Sequence, residues 1–348
     1  MVENEDVLVK VENGIGLITL NRPKAINSLT HPMVTVMAQA LQDWERDDAV
    51  RAVVVSGAGE RGLCAGGDVV AIYHDAKDAG GAASRRFWYE EYLLNAYIGR
   101  YPKPYVALMD GITMGGGVGI SAHGSVRVVT ETTKMAMPEV GIGFIPDVGG
   151  TYILGRTPGL LGVHAALTGA PFSGADAIAM GFADHFVPHD DLDAFTRAVI
   201  DDGVDAALAA HAQEPPASPL LAQRDWIDSC YAEETVADIV AALRAHDAEA
   251  AGEAAKLIET RSPVALAVTL RAVRQAADLP TLEDVLVQEF RTSCASLRSH
   301  DLVEGIRAQL VDKDRNPQWS PASLGDVTAA DVDAYFAPAD PDLTFEQE

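Results

Sequence analysis

The stretch KMAMPEVGIGFIPDVGG, Lys134 to Gly150, sets two carboxylates, Glu139 and Asp147, among methionine, valine, isoleucine, phenylalanine, proline and glycine. Acids seldom lie among apolar residues unless they are paired or put to chemical use. The segment therefore reads either as loop polarity or as the working end of an enzyme, and its flanks decide between the two.

Working towards the N-terminus, the segment follows VRVVT (126–130), which reads as a strand, and a glycine cluster, MGGGVG, Met114 to Gly119. Two further runs, RAVVVSG (51–57) and YVALMDG (105–111), are continuously apolar and close on glycine, as suits strands buried on both faces. Between them RRFWYEEYLLNAYIG has the length and aromatic spacing of a helix, and a second glycine cluster, LCAGGD, Leu63 to Asp68, follows the first strand. The chain opens with VLVKVENGIGLITLNRP, which alternates around Asn13-Gly14 and predicts a β-hairpin. Thr30 and Pro32 then predict a helix start, with Met33, Val36, Met37, Ala40, Leu41 and Trp44 on one face and an end near Asp48.

Towards the C-terminus, Ser173 predicts a cap for GADAIAM, which Gly181 stops; DHFVP predicts a short strand and DLDAFTRAVIDDGVDAALAAH a helical stretch. After Pro215, Pro216 and Pro219 the pattern is helical, with Thr281 and Asp284 spaced as a capping box. A core over 1–200 and a helical C-terminal region over 201–348 are expected, with the acidic tail from Pro321 to Glu348 loosely held at its end.

The 348 residues suffice for a large core, and 26 basic against 51 acidic residues leave a net charge of −25, which repels phosphate backbones and excludes nucleic acid as a general partner. Three well-separated cysteines without CxxC spacing, an acidic N-terminal stretch and no apolar run approaching the ~18 residues that span a bilayer point to a cytoplasmic protein in a reducing setting, with no membrane partner. GxSxG, HExxH and Walker motifs are absent, and the nine histidines show no metal-ligand spacing, so no metal is expected. GAGERG, Gly57 to Gly62, matches the dinucleotide-binding pattern, but LCAGGD follows it where a helix should begin. Cys64 reads as a small buried filler. What remains is two glycine loops able to bring backbone N–H donors close to a ligand, together with two carboxylates.

LNRPKAINSL, LCAGGD, GITMGGGVGIS and MPEVGIGFIPDVGG, in that order, resemble the crotonase (enoyl-CoA hydratase/isomerase) superfamily, and within it the 3-hydroxyisobutyryl-CoA hydrolase branch; VEGIRAQLVDKDRNPQW followed by SPASL resembles that branch too. The resemblance implies an α/β spiral of repeated ββα units with a helical C-terminal region. It implies hydrolysis of a short, branched β-hydroxyacyl-CoA in valine catabolism, with no cofactor beyond the coenzyme A of the substrate. The family's two-amide oxyanion hole maps to Ala65 and Gly116, its catalytic acids to Glu139 and Asp147, and substrate contacts to Glu91, Gly66, Gly67, Asp68 and Lys24, with Arg22 a weaker candidate. Glu139 would act as general base or attack directly to give a mixed anhydride. Hydratases carry a second glutamate where this chain has Gly119. Hydratase or isomerase activity, or acyl-CoA binding without turnover, are the alternatives, and trimers or hexamers are the assemblies the family implies.

Overall fold

A computed structural model describes residues 5–345; the first four residues and the last three, including the end of the acidic tail, lie outside the described residues. The strands are β1 (Val7–Glu12), β2 (Ile15–Leu20), β3 (Ala52–Gly57), β4 (Tyr105–Met109), β5 (Ile112–Met114), β6 (Val126–Val129), β7 (Lys134–Ala136), β8 (Phe172–Ser173) and β9 (His185–Phe186). The larger sheet runs β1-β2-β3-β4-β6-β9 and the smaller β5-β7-β8. Only β1–β2 is antiparallel in the larger sheet, closed by Asn13 at φ 46° and Gly14 at φ 77°, the left-handed pair that a tight hairpin demands.

β3 and β4 are buried on both faces, which is why their sequences are unbroken apolar runs rather than alternating ones. Ile15, Val54, Val106, Leu108 and Val128 of this sheet pack against Phe195, Val199 and Ile200 of the helix Leu192–Asp202. Helix α1 (His31–Glu45) buries Met33, Val36, Met37, Ala40, Leu41 and Trp44 as its spacing predicts, yet it stops at Glu45 rather than near Asp48. The stretch expected to be helical from Asp191 is two helices, Leu192–Asp202 and Val204–His211, parted at Gly203 with φ 93°. A helix unforeseen in the sequence, α2 (Val69–Ala79), follows LCAGGD, and Asp68 stands at its N-cap accepting from the Ala71 amide.

The described chain divides into two compact units that interleave along the sequence: residues up to 67, 93–135 and 172–219 in one, and 68–92, 136–171 and 220 onward in the other. The boundary expected between 200 and 201 is therefore not where the units part. Segments 68–92 and 136–171, which sequence reading assigned to the core, pack instead with the C-terminal helices: the helices Gly150–Leu154 and Leu161–Thr168 both lie against the helix Pro263–Asp278. Ile145 joins Val264, Val268, Ala272 and Ala295 in the core of that unit. Helix α3 (Ala82–Gly99) passes from the second unit into the first, α4 (Gly116–Gly119) is one turn, and α5 is Gly150–Leu154.

Candidate active site

The first unit holds both glycine loops. The Cys64 amide donates to Ile112 O at 3.1 Å and the Met114 amide to Cys64 O at 2.9 Å, so the two loops run side by side. A Cβ on Gly117 would lie 2.5 Å from Cys64 O, an approach only glycine permits, and Gly66 sits at φ 107°, a conformation that favours glycine. The Ala65 amide, expected to be an oxyanion donor, donates to Ile26 O at 2.9 Å, and its single hydrogen is thereby used inside the fold. Among the described residues the Gly67 and Gly116 amides have no acceptor. Gly116 opens α4, where helix geometry leaves its N–H unpaired.

Gly119 is buried inside α4 and brings no side chain where hydratases carry a glutamate. Gly62, third glycine of the dinucleotide-like pattern, sits at φ 145°, where a Cβ would meet Ile112 N at 2.1 Å; it serves a loop crossing rather than a helix start. Cys64 is fully buried, as a filler should be. Lys24 is exposed on the short turn Pro23–Ala25, whereas the Arg22 guanidinium is held within the loop by Ser28 O at 2.6 Å and Ser28 Oγ at 3.1 Å.

The second unit gathers the acids. Glu91 from α3, Glu139 from the turn Glu139–Ile142, Asp147, and Glu289 from the helix Leu282–Ser296 are 2%, 5%, 5% and 1% exposed, so all four carboxyls are withdrawn from solvent. Gly143 ends the Glu139 turn at φ 69°, and a Cβ there would lie 2.2 Å from Asp301 O, so glycine lets the turn press against its neighbour. Tyr89 and Tyr92 of α3 set their rings edge-on to Phe290, centroids 5.6 and 6.2 Å apart, docking the C-terminal helix there. The Tyr92 hydroxyl donates to Asp147 Oδ2 at 2.6 Å and lies 2.8 Å from Ser293 Oγ. Glu91 Oε1 and Glu139 Oε2 are buried with no hydrogen-bond partner among the described residues, which is costly unless a ligand completes them.

Burial, and next the charge of Asp147, pushes Glu91 and Glu139 well above the usual carboxylate range. Burial also raises Asp147 to about 7, against the pull of Tyr92, and Glu289 to about 8, against its bonds from Thr151 and Gly149. The unfolded chain ionises these acids at ordinary values near 3.8 and 4.5, before the folded chain does. The stability contributed by Asp147 and Glu289 is thus full below about pH 4 and is lost as pH rises through about 7 and about 8, a loss on the order of several kcal/mol. Urea titrations across that window should show this fall, with a shallower one in Asp147→Asn; equal slopes would remove Asp147 from the account.

Sequence reading missed Tyr92, Ser293 and Glu289. Tyr92 adjoins Glu91 in YEEY, but Glu289 and Ser293, in VQEFRTS, belong to no motif.

Residues 15–336 match the family model described as enoyl-CoA hydratase/isomerase. The chain belongs to that family. Among its relatives, a mitochondrial 3-hydroxyisobutyryl-CoA hydrolase of Rattus norvegicus is 41% identical over 345 residues, 96% of this chain and 89% of the relative. The Homo sapiens protein of the same name is 40% identical, covering 95% and 88%. A solved carnitinyl-CoA dehydratase from Mycobacterium thermoresistibile is 76% identical with a TM-score of 0.96 over 99% of this chain and 100% of that one. An enoyl-CoA hydratase from Rhodobacter sphaeroides 2.4.1 is 40% identical with a TM-score of 0.93 over 98% and 100%. The α/β crotonase fold implied by the four motifs is the fold of this family member.

Proposed function

We propose that the protein hydrolyses a short, branched β-hydroxyacyl-CoA thioester, 3-hydroxyisobutyryl-CoA foremost, releasing the hydroxy acid and coenzyme A. The observation that carries this reading is the buried acid group of Glu91, Glu139 and Asp147, combined with a glycine, Gly119, where a hydratase has its other glutamate. Relatives that bear the hydrolase name over nearly their full length support it.

Thioester hydrolysis needs donors for the oxygen that gathers charge and a group that delivers or activates the attacking oxygen. The free amides of Gly67 and Gly116 suit the first task, with Gly67 taking the place expected of Ala65. Glu139, a buried carboxyl whose pKa burial pushes well above the usual carboxylate range, suits the second, as base or as nucleophile. Asp147 would assist proton transfer or meet the substrate hydroxyl, and Glu91 would line the acyl group. Gly66, Asp68 and Lys24 remain substrate-side residues in this reading, Asp68 by capping α2 beside the loop and Lys24 by offsetting coenzyme A phosphate in a strongly acidic protein. No helix among the described residues is long and apolar enough to cross a membrane. A cytoplasmic setting is our reading from three buried cysteines that form no disulfide among the described residues.

The 76% identical dehydratase gives the second reading, reversible hydration of an enoyl-CoA, specific weight. One assay separates the two. Purified protein given 3-hydroxyisobutyryl-CoA should release free thiol, detected with a disulfide reagent, while crotonyl-CoA keeps its enoyl absorbance. Loss of that absorbance without thiol release would give the site to the dehydratase.

A further inference from the structure

The helix Leu282–Ser296 carries Glu289 and Ser293 one turn apart, both buried and therefore on one face. We propose that this face positions Asp147: Glu289 holds the turn that follows it, and Ser293 holds the tyrosine that hydrogen-bonds its carboxylate. The inference rests on the hydrolase reading and extends it to residues outside every motif of the family likeness.

The first tether is a fully used carboxylate. Glu289 Oε2 accepts from the Gly149 amide at 2.6 Å, and Oε1 accepts from the Thr151 amide at 2.9 Å and the Thr151 hydroxyl at 2.6 Å. The backbone beside it is strained at Val148, a β-branched residue at φ 55°, which precedes Gly149 at φ 78°. Such a conformation persists only where its surroundings over-determine it, and three donors converging on one buried carboxylate do so. Asp147 is the residue immediately before Val148, so its direction follows from that of the held turn.

The second tether has a fixed sense. Tyr92 has one hydroxyl hydrogen, and it goes to Asp147 Oδ2. Ser293 must then be the donor in its 2.8 Å bond to Tyr92. The relay Ser293 to Tyr92 to Asp147 therefore points every hydrogen towards the carboxylate and favours its ionised form. Held by its following turn and by Tyr92, Asp147 has one orientation, which is what a group serving a reacting atom requires. Glu91, Glu139 and Glu289 are the other titratable carboxyls of this cluster, and burial rather than ion pairing governs them.

Glu289→Gln tests the tether, because it keeps the shape but turns an NH2 towards either the Gly149 amide or the Thr151 donors. We expect kcat to fall by about tenfold or more with KM nearly unchanged, and the acid limb of the kcat–pH profile to move. Thr151→Val should behave alike and Thr151→Ser should restore the rate; this pair also decides the matter if Glu289→Gln fails to fold. A crystal structure of Glu289→Gln or Thr151→Val needs no turnover and should show the Asp147 carboxylate away from Tyr92. Wild-type kcat and pH profile, or an intact Asp147–Tyr92 bond in that crystal structure, overturns the proposal. Absence of thiol release by the wild-type protein would instead sink the hydrolase reading, while the crystal structure still decides the tether.

Discussion

Glu139→Gln is expected to remove thiol release almost entirely, with kcat down by about a thousandfold, while the protein melts no lower than wild type. Glutamine matches the shape of glutamate but can neither accept the proton of an attacking water nor form an anhydride, and groups in these roles are worth about 10²- to 10⁴-fold. The stability half of the result follows from burial. Glu139 is 5% exposed, one of its oxygens has no partner among the described residues, and its pKa is pushed well up, so above about pH 5 the fold carries the penalty of an acid that the unfolded chain would ionise. An amide removes that penalty. Steady-state kinetics and thermal melts at pH 8 check both halves together, and retained turnover would strip Glu139 of its role.

Gly117→Ala should be nearly as damaging for a different reason. The added methyl would lie 2.5 Å from Cys64 O, which is fixed by its bond from the Met114 amide, and 2.9 Å from Cys64 Cβ. Neither backbone can give way without parting the two glycine loops, so a loss of about 1–3 kcal/mol in stability is expected, together with about a hundredfold loss of rate as the Gly67 and Gly116 amides separate. Gly252→Ala is the control. Gly252 lies inside the helix Glu249–Ile258 with nothing within 4 Å of the new methyl, so alanine there should raise stability by ~0.5–1 kcal/mol and leave kinetics alone. Equal behaviour of the two variants in melting and rate would refute the close-approach account.

What the sequence reveals follows the range of the interactions involved. The hairpin at Asn13-Gly14, the buried runs of β3 and β4 and the face of α1 were legible because turn chemistry and local periodicity determine them. Ser173 forms its capping box with Asp176, and Thr281 accepts from the Asp284 amide, again within one turn. The interleaved units were not legible. They depend on which helix the segments 68–92 and 136–171 meet, a choice made by packing far along the chain. Helix α2 escaped because the glycines before it hid its start. Among the candidate residues, the burial of Glu139 and Asp147 was signalled by their apolar surroundings and the close-packed loop at Gly116 by its triplet. Ala65 was misread because only the fold reveals that Ile26 O takes its amide, and Glu289 and Ser293 were invisible because their partners lie about 140 and 200 positions away.

Those long separations bear on how the protein is made. A ribosome delivers Tyr92, Glu139 and Asp147 well before it delivers Glu289 and Ser293, so the nascent chain holds its acids without the helix that orders them. Premature termination before Leu282 would leave an acid-laden, half-assembled second unit. The bonds from Glu289 and Ser293 to Gly149, Thr151 and Tyr92 thus form only late in translation.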